Sequence, residues 1–202
     1  ISFLLFPIFK KYLPFKKIYI YSTIGVLSHG LLDACTSYGT SLLWPVSDIR
    51  ISWNIISIID PVFTSIIITF FFLCIFSKSI KFMKIGLTLS FSYLFLCFIQ
   101  YHQIKSFVLS NSKDRGHKIE RILLNPTIGN NILWRTIYQY DGYYFIDGVY
   151  KPIFSKAKII NGTKIKVINK ETIYPELDQN SKQRKDIRRF SYFSQDYIFL
   201  HP

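Results

Sequence analysis

Three long runs almost free of charge constrain this chain more than any other feature: Ile18–Cys35, Ile55–Phe76 and Ile85–Tyr101. Their aromatic and β-branched content would suit buried strands, but strands usually run about 4 to 8 residues, and each run is more than twice as long. A soluble protein with a helical core needs polar helix faces to cover it, and this part of the chain has too few polar residues to build them. The runs instead approach the roughly 20 apolar residues that a membrane-spanning helix requires. The opening ISFLLFPIF, which starts at Ile1 rather than Met, reads as the end of one more span, with part of the natural protein expected upstream.

Charge divides the chain in two. Of the 25 Lys+Arg and 12 Asp+Glu, only 8 and 3 fall in residues 1–104, leaving 17 and 9 for residues 105–202. The expected architecture is therefore an α-helical polytopic membrane region, 1–104, followed by a small β-rich extramembrane domain, 105–202. Lys10, Lys11, Lys16 and Lys17 lie between the first two apolar segments, and Lys78, Lys81 and Lys84 between the last two. The loop between those pairs, residues 36–54, carries Arg50 as its one cation. Because short cytoplasmic loops are enriched in Lys and Arg, the Lys loops are expected inside, with the 36–54 loop and the C-terminal domain on the outer side of an inner membrane.

Rare ionisable groups in the apolar half carry the functional expectation. They are His29, Asp33, Asp48 and Asp60. His29 and Asp33 are spaced i, i+4 and so share a helix face. Asp60 opens the next apolar run, and an antiparallel course would bring it to the same membrane surface. One imidazole and two carboxylates suit a divalent ion such as Zn²⁺ or Mn²⁺, which activates water when a coordination position stays open. The same residues admit plainer roles: a His–Asp bond between helices, and an Asp-Pro cap at a helix start. Arg50 can pair with Asp48, meet lipid headgroups, or hold an anionic substrate group such as a phosphate. The cysteines, Cys35, Cys74 and Cys97, all lie in apolar sequence and read as small hydrophobes.

The run His29-Gly-Leu-Leu-Asp33-Ala-Cys-Thr36-Ser37-Tyr38-Gly39-Thr40, with Leu43-Trp44-Pro45, Ser47-Asp48, Arg50 and Ile59-Asp60-Pro61, resembles the membrane-bound metal-dependent hydrolase family of bacterial inner membranes, also described as LexA-binding. Trp134-Arg135 resembles the start of that family's C-terminal region. The resemblance implies His29 and Asp33 as metal ligands, Asp60 as ligand or general base, and a lipid or phosphoester substrate. It also implies further ligands from a His-Arg-Gly…Thr-His-Ser element and a Pro-Asp-x-Asp element upstream, neither of which this sequence contains.

The C-terminal half alternates and turns. Leu133–Tyr140, Tyr143–Ile146 and Val149–Phe154, separated by Asp141-Gly142 and Asp147-Gly148, read as a meander. Lys158–Ile160 and Thr163–Ile168 around Asn161-Gly162 add a hairpin, with Lys164 and Lys166 on its wet face. The basic run Lys182–Arg189 reads as a solvated helix face, so a nucleic-acid partner is disfavoured against anionic lipid. His117 and His201 read as incidental, and His102 as a minor ligand candidate. A second reading is a non-catalytic membrane scaffold or regulator that binds a protein partner through the basic domain.

Overall fold

The computed structural model describes residues 1–200; His201 lies outside them. Four helices come first: α1 (Ser2–Phe9), α2 (Phe15–Cys35), α3 (Pro61–Ser77) and α4 (Ile80–Asp114). A four-stranded antiparallel sheet follows, in the order β1 (Arg121–Pro126), β2 (Leu133–Tyr140), β3 (Tyr143–Tyr150), β4 (Lys158–Lys166), and the chain then forms α5 (Lys182–Phe193).

Local chemistry sets the helix ends. Pro61 occupies the first position of α3, where a missing N–H costs nothing, and Asp60 caps it by accepting from the Phe63 N–H at 2.9 Å. The helix stops at Lys78, in the left-handed region with φ 48°, and α4 starts two residues later. The two helices therefore run back along each other, with Gly86 facing Phe70: a Cβ at Gly86 would lie 2.5 Å from the Phe70 Cβ. None of the α3 side chains is buried, and Phe71, Phe72, Ile75 and Phe76 are exposed. Phe63, Ile66, Phe70 and Cys74 form its one half-buried face, and the rest of this apolar helix is left uncovered. Helix α4 is long and apolar enough to cross a membrane, whereas α3 is apolar but shorter, at 17 residues.

Two boundaries differ from expectation. The run starting at Ile55 is not helical until Pro61; Ile55, Ile56 and Ser57 are irregular and buried instead. The last apolar run continues as helix past Tyr101 to Asp114, so the division after Ile104 falls inside α4. The continuation is amphipathic. Ile104 and Val108, one turn apart, are both buried, and they pack with Leu124, Trp134, Tyr138 and Val149 to form the sheet's main core.

The strand pairing corrects two expected turns. Asp141-Gly142 does turn the chain between β2 and β3, both residues taking positive φ. Asp147-Gly148 does not: it lies within β3, which runs through to Tyr150, and Asn161-Gly162 lies within β4. The two Gly positions face neighbouring strands so closely that a Cβ on Gly162 would collide with the Ile146 carbonyl. Asp147 is buried at the resulting bulge, where it pairs with Arg115 at 2.7 Å and accepts from the Gly162 N–H at 2.9 Å. Strand β1, which sequence periodicity did not mark, pairs along β2 from Arg121↔Gln139 to Pro126↔Trp134. The opposite sheet face carries Ile137 and Tyr144 under Tyr197.

Arg184 also departs from expectation. Rather than facing water, it is 1% exposed, and its guanidinium donates to the carbonyls of Lys170, Ile173, Tyr174 and Leu177. It thereby gathers the segment before α5 around one cation. His117 is not incidental to folding: it stacks on Tyr140 at 4.6 Å, with Nδ1 2.9 Å from the Tyr138 hydroxyl.

Two outcomes follow. A piece beginning at Lys105 loses Ile104 and will not give dispersed amide spectra, whereas a piece beginning at Ile80 will in detergent; Trp134→Ala in the full chain will cost about 3 to 5 kcal/mol by denaturant titration. Burial, then Arg115 and Lys164, hold the His117 imidazole below its ordinary 6.5 against the pull of Asp147. The neutral ring is the folded-state form, so its contribution is full above pH 6.5 and lost as pH falls through the lower folded-state value. Thermal unfolding of the sheet domain will show this acid-side loss, and His117→Gln will flatten it.

Candidate functional site

The C-terminal end of α2 is closed by the loop that follows it. The Thr36 hydroxyl and N–H both donate to the Asp33 carbonyl, at 2.8 and 3.0 Å. Trp53 then donates to the Ala34 carbonyl at 2.7 Å, and Ile55 and Ile56 donate to that of Cys35 at 2.9 and 3.2 Å. These bonds satisfy carbonyls that a helix end leaves open. Gly39, at φ +63°, lets Thr40 pair with Ile51, since a Cβ there would lie 2.7 Å from that of Ser52. The 36–56 segment is thus a loop tied at both ends to the last turn of α2.

His29 and Asp33 stand on that turn and the one before it. His29 Nδ1 lies 3.3 Å from Asp33 Oδ2, with the imidazole side chain 78% and the carboxylate side chain 46% exposed. The pair is open on one side, and one nitrogen and one carboxylate suit a divalent ion that favours N and O donors. It offers two donor groups. Asp60 is not gathered with it: 4% exposed, it caps α3 through Oδ1 and accepts from the Tyr93 hydroxyl through Oδ2 at 2.8 Å. Among the described residues no three His, Cys, Asp or Glu side chains group as a metal site. Among the described residues His29 and Asp33 therefore stand as a pair without a third ligand beside them, and Asp60 has both oxygens engaged.

The remaining candidates separate. Asp48 and Arg50 do not pair: the Asp48 carbonyl accepts from the Tyr192 hydroxyl at 2.9 Å, while Arg50 Nη2 donates to the Phe193 carbonyl at 2.7 Å. Arg50 thus meets the C-terminal end of α5, where a cation is favourable, and its guanidinium lies 5.5 Å from the Phe193 ring centroid. His102 is exposed on α4, its ring packed edge-on against Phe98 at 4.4 Å.

Sequence reading missed the polar joint between helices and sheet. Gln100, 4% exposed, donates through Nε2 to the carbonyls of Asn131 and Lys151, while its Oε1 accepts from Lys151 Nζ at 3.3 Å. Burial pushes the Lys151 ammonium below its ordinary pKa. Asn131 Nδ2 donates to the Ile55 carbonyl at 3.1 Å, and the Gly129 N–H reaches both Ser57 Oγ and the Ile59 carbonyl at 3.0 Å. A lone Gln near the end of an apolar run was the available signal. Polar groups at membrane depth ask for partners.

The Asp60–Tyr93 bond predicts a measurable loss. Tyr93→Phe will destabilise the protein in detergent by about 1 to 3 kcal/mol, because a buried carboxylate oxygen loses its donor. Asp60→Ala will cost at least as much, since it removes the cap as well. Denaturant titration of the purified protein reads both.

No curated protein and no solved structure matches the chain. A family model, the YdjM inner membrane protein, matches residues 1–104, which comprise α1 to α3, the loop with its His–Asp pair, and the apolar part of α4. The chain, with a helical region that ends in a helix long and apolar enough to cross a membrane, belongs to the YdjM family of bacterial inner-membrane proteins.

Proposed function

We propose that this protein is a multi-pass, metal-dependent hydrolase of the bacterial inner membrane that acts on an ester or phosphoester at the outer surface. The observation that carries the reading is the His29–Asp33 pair, 3.3 Å apart and open on one side, at the end of a helix in an inner-membrane family. His29 and Asp33 would hold the ion, Zn²⁺ or Mn²⁺ by donor preference, with further ligands supplied from outside this set. A divalent ion there lowers the pKa of a coordinated water toward neutrality. Within the chain, His29 Nδ1 and Asp33 Oδ2 stand 3.3 Å apart, near enough for the two side chains to face one ion together. Asp60 serves the site indirectly, by fixing the start of α3 and its contact with Tyr93 on α4.

The Lys clusters and the 36–54 loop support the expected orientation. Contacts from Asp48, Arg50 and Ser52 to α5 and the segment after it support a reading with the loop and the C-terminal domain on the same side of the membrane. The positive-inside bias favours the extracytoplasmic side for both.

A scaffold role has one observation in its favour. Phe190, Tyr192 and Phe193 are more than half exposed beside Lys185 and Arg189 on α5, a face suited to anionic lipid or a protein partner. Metal content separates the readings. The detergent-solubilised protein is expected to retain divalent metal through purification, and His29→Ala and Asp33→Ala to lose it, while Lys185→Ala leaves it in place. Equal metal stoichiometry in all four proteins would overturn the hydrolase reading and leave the scaffold.

A further inference from the structure

We infer that the cavity between the 36–54 loop, the sheet and α5 is a phosphate-binding subsite held by Arg50 and Arg135. The cavity measures about 300 Å³, and no Asp or Glu lines it. Its polar groups include those of Arg50, Arg135, Ser37 and Asn125 beside Ser194, Gln195 and Tyr197, and rings such as Phe190 and Phe193 are apolar.

Both arginines are available to an anion. Strand alternation buries Trp134 in the main core, and it therefore turns Arg135 the other way. Arg135 is exposed, with no hydrogen bond or ion pair among the described residues. Arg50 uses Nη2 on the Phe193 carbonyl and keeps further N–H donors. Asn125 Oδ1 is buried without a donor among the described residues. Two guanidinium forks match the oxygens and charge of a phosphate better than those of a single carboxylate. The lone acceptor on Asn125 suits a hydroxyl on the phosphate or on the group that carries it. Nearby, Arg121 is already committed: it donates to the Gln195 carbonyl and lies 4.6 Å from the Tyr197 ring.

Ser37 links the cavity to the His29–Asp33 helix, since it follows Asp33 by four residues at the same helix end. The binding itself stands on the cavity alone, whereas its use as a substrate anchor rests on the hydrolase reading. The phosphate can come from a membrane lipid or from a soluble phosphate ester, and both present the same chemistry to the two arginines.

The test uses the full-length protein in a non-ionic detergent and reads bound lipid by native mass spectrometry. Phosphatidylglycerol and uncharged diacylglycerol are the lipid probes, and inorganic phosphate is the soluble one. The native protein is expected to retain phosphatidylglycerol over diacylglycerol by about tenfold, a preference that Arg135→Gln and Arg50→Lys each reduce severalfold. Displacement by inorganic phosphate supports a soluble ester as the source, and retention against millimolar phosphate supports the lipid. If the preference survives in the Arg135→Gln/Arg50→Gln double variant, or the native protein has none for either probe, the subsite is overturned. The His29→Ala/Asp33→Ala variant keeps the anion preference, so loss of metal and loss of phosphate binding report on different claims.

Discussion

Helix α4 has to satisfy two environments along one axis. Its first part exposes Phe91, Phe95 and Phe98, as a helix in lipid does, and its last turns bury Ile104 and Val108 against Trp134 and Val149. Gln100 stands where these demands change over. A side-chain amide there would be costly in lipid alone, but both of its ends are occupied, by two carbonyls and by the Lys151 ammonium. The sheet is therefore not an appendage joined by a linker. It is folded onto the emerging helix, and the polar joint at Gln100 fixes where that happens.

A second set of bonds ties the 36–60 segment to the same place. Main-chain groups of Ala34 and Cys35 hold Trp53, Ile55 and Ile56, and the β1–β2 loop holds Ser57 and Ile59 through the Gly129 N–H. Asp60 then starts α3 and reaches across to Tyr93. One carboxylate that looked like a ligand thus joins two helices, and it leaves the His29–Asp33 pair as the accessible chemistry. The same closure brings Arg50 of the loop alongside Arg135 of the sheet, 85 residues later in the chain.

Much of this was legible in residues whose roles are local. The Asp60-Pro61 cap, the i, i+4 pairing of His29 and Asp33, strand β2 and the Asp141-Gly142 turn all follow from nearest neighbours. What could not be read depends on distant partners. Asp147-Gly148 and Asn161-Gly162 have the composition of turns, yet both lie inside paired strands at a bulge, where Gly148 faces Ile160 and Gly162 the Ile146 carbonyl. Arg184 sits in a basic run and is buried only because four carbonyls converge on it. The division after Ile104 followed charge, which changes there, while helical periodicity does not. The oxygens of Asp60 could be assigned only once Tyr93 was placed beside it.

The continuity of α4 has a mechanical consequence. Its 35 residues make a post about 52 Å long, more than the roughly 30 Å of a bilayer's hydrocarbon layer. A spanning helix adjusts to a thinner or thicker bilayer chiefly by tilting. With Ile104 and Val108 fixed in the sheet's core, the sheet has to lean with the post. Any change in the tilt of α4 would therefore carry the sheet with it and change the angle at which the sheet faces the membrane surface.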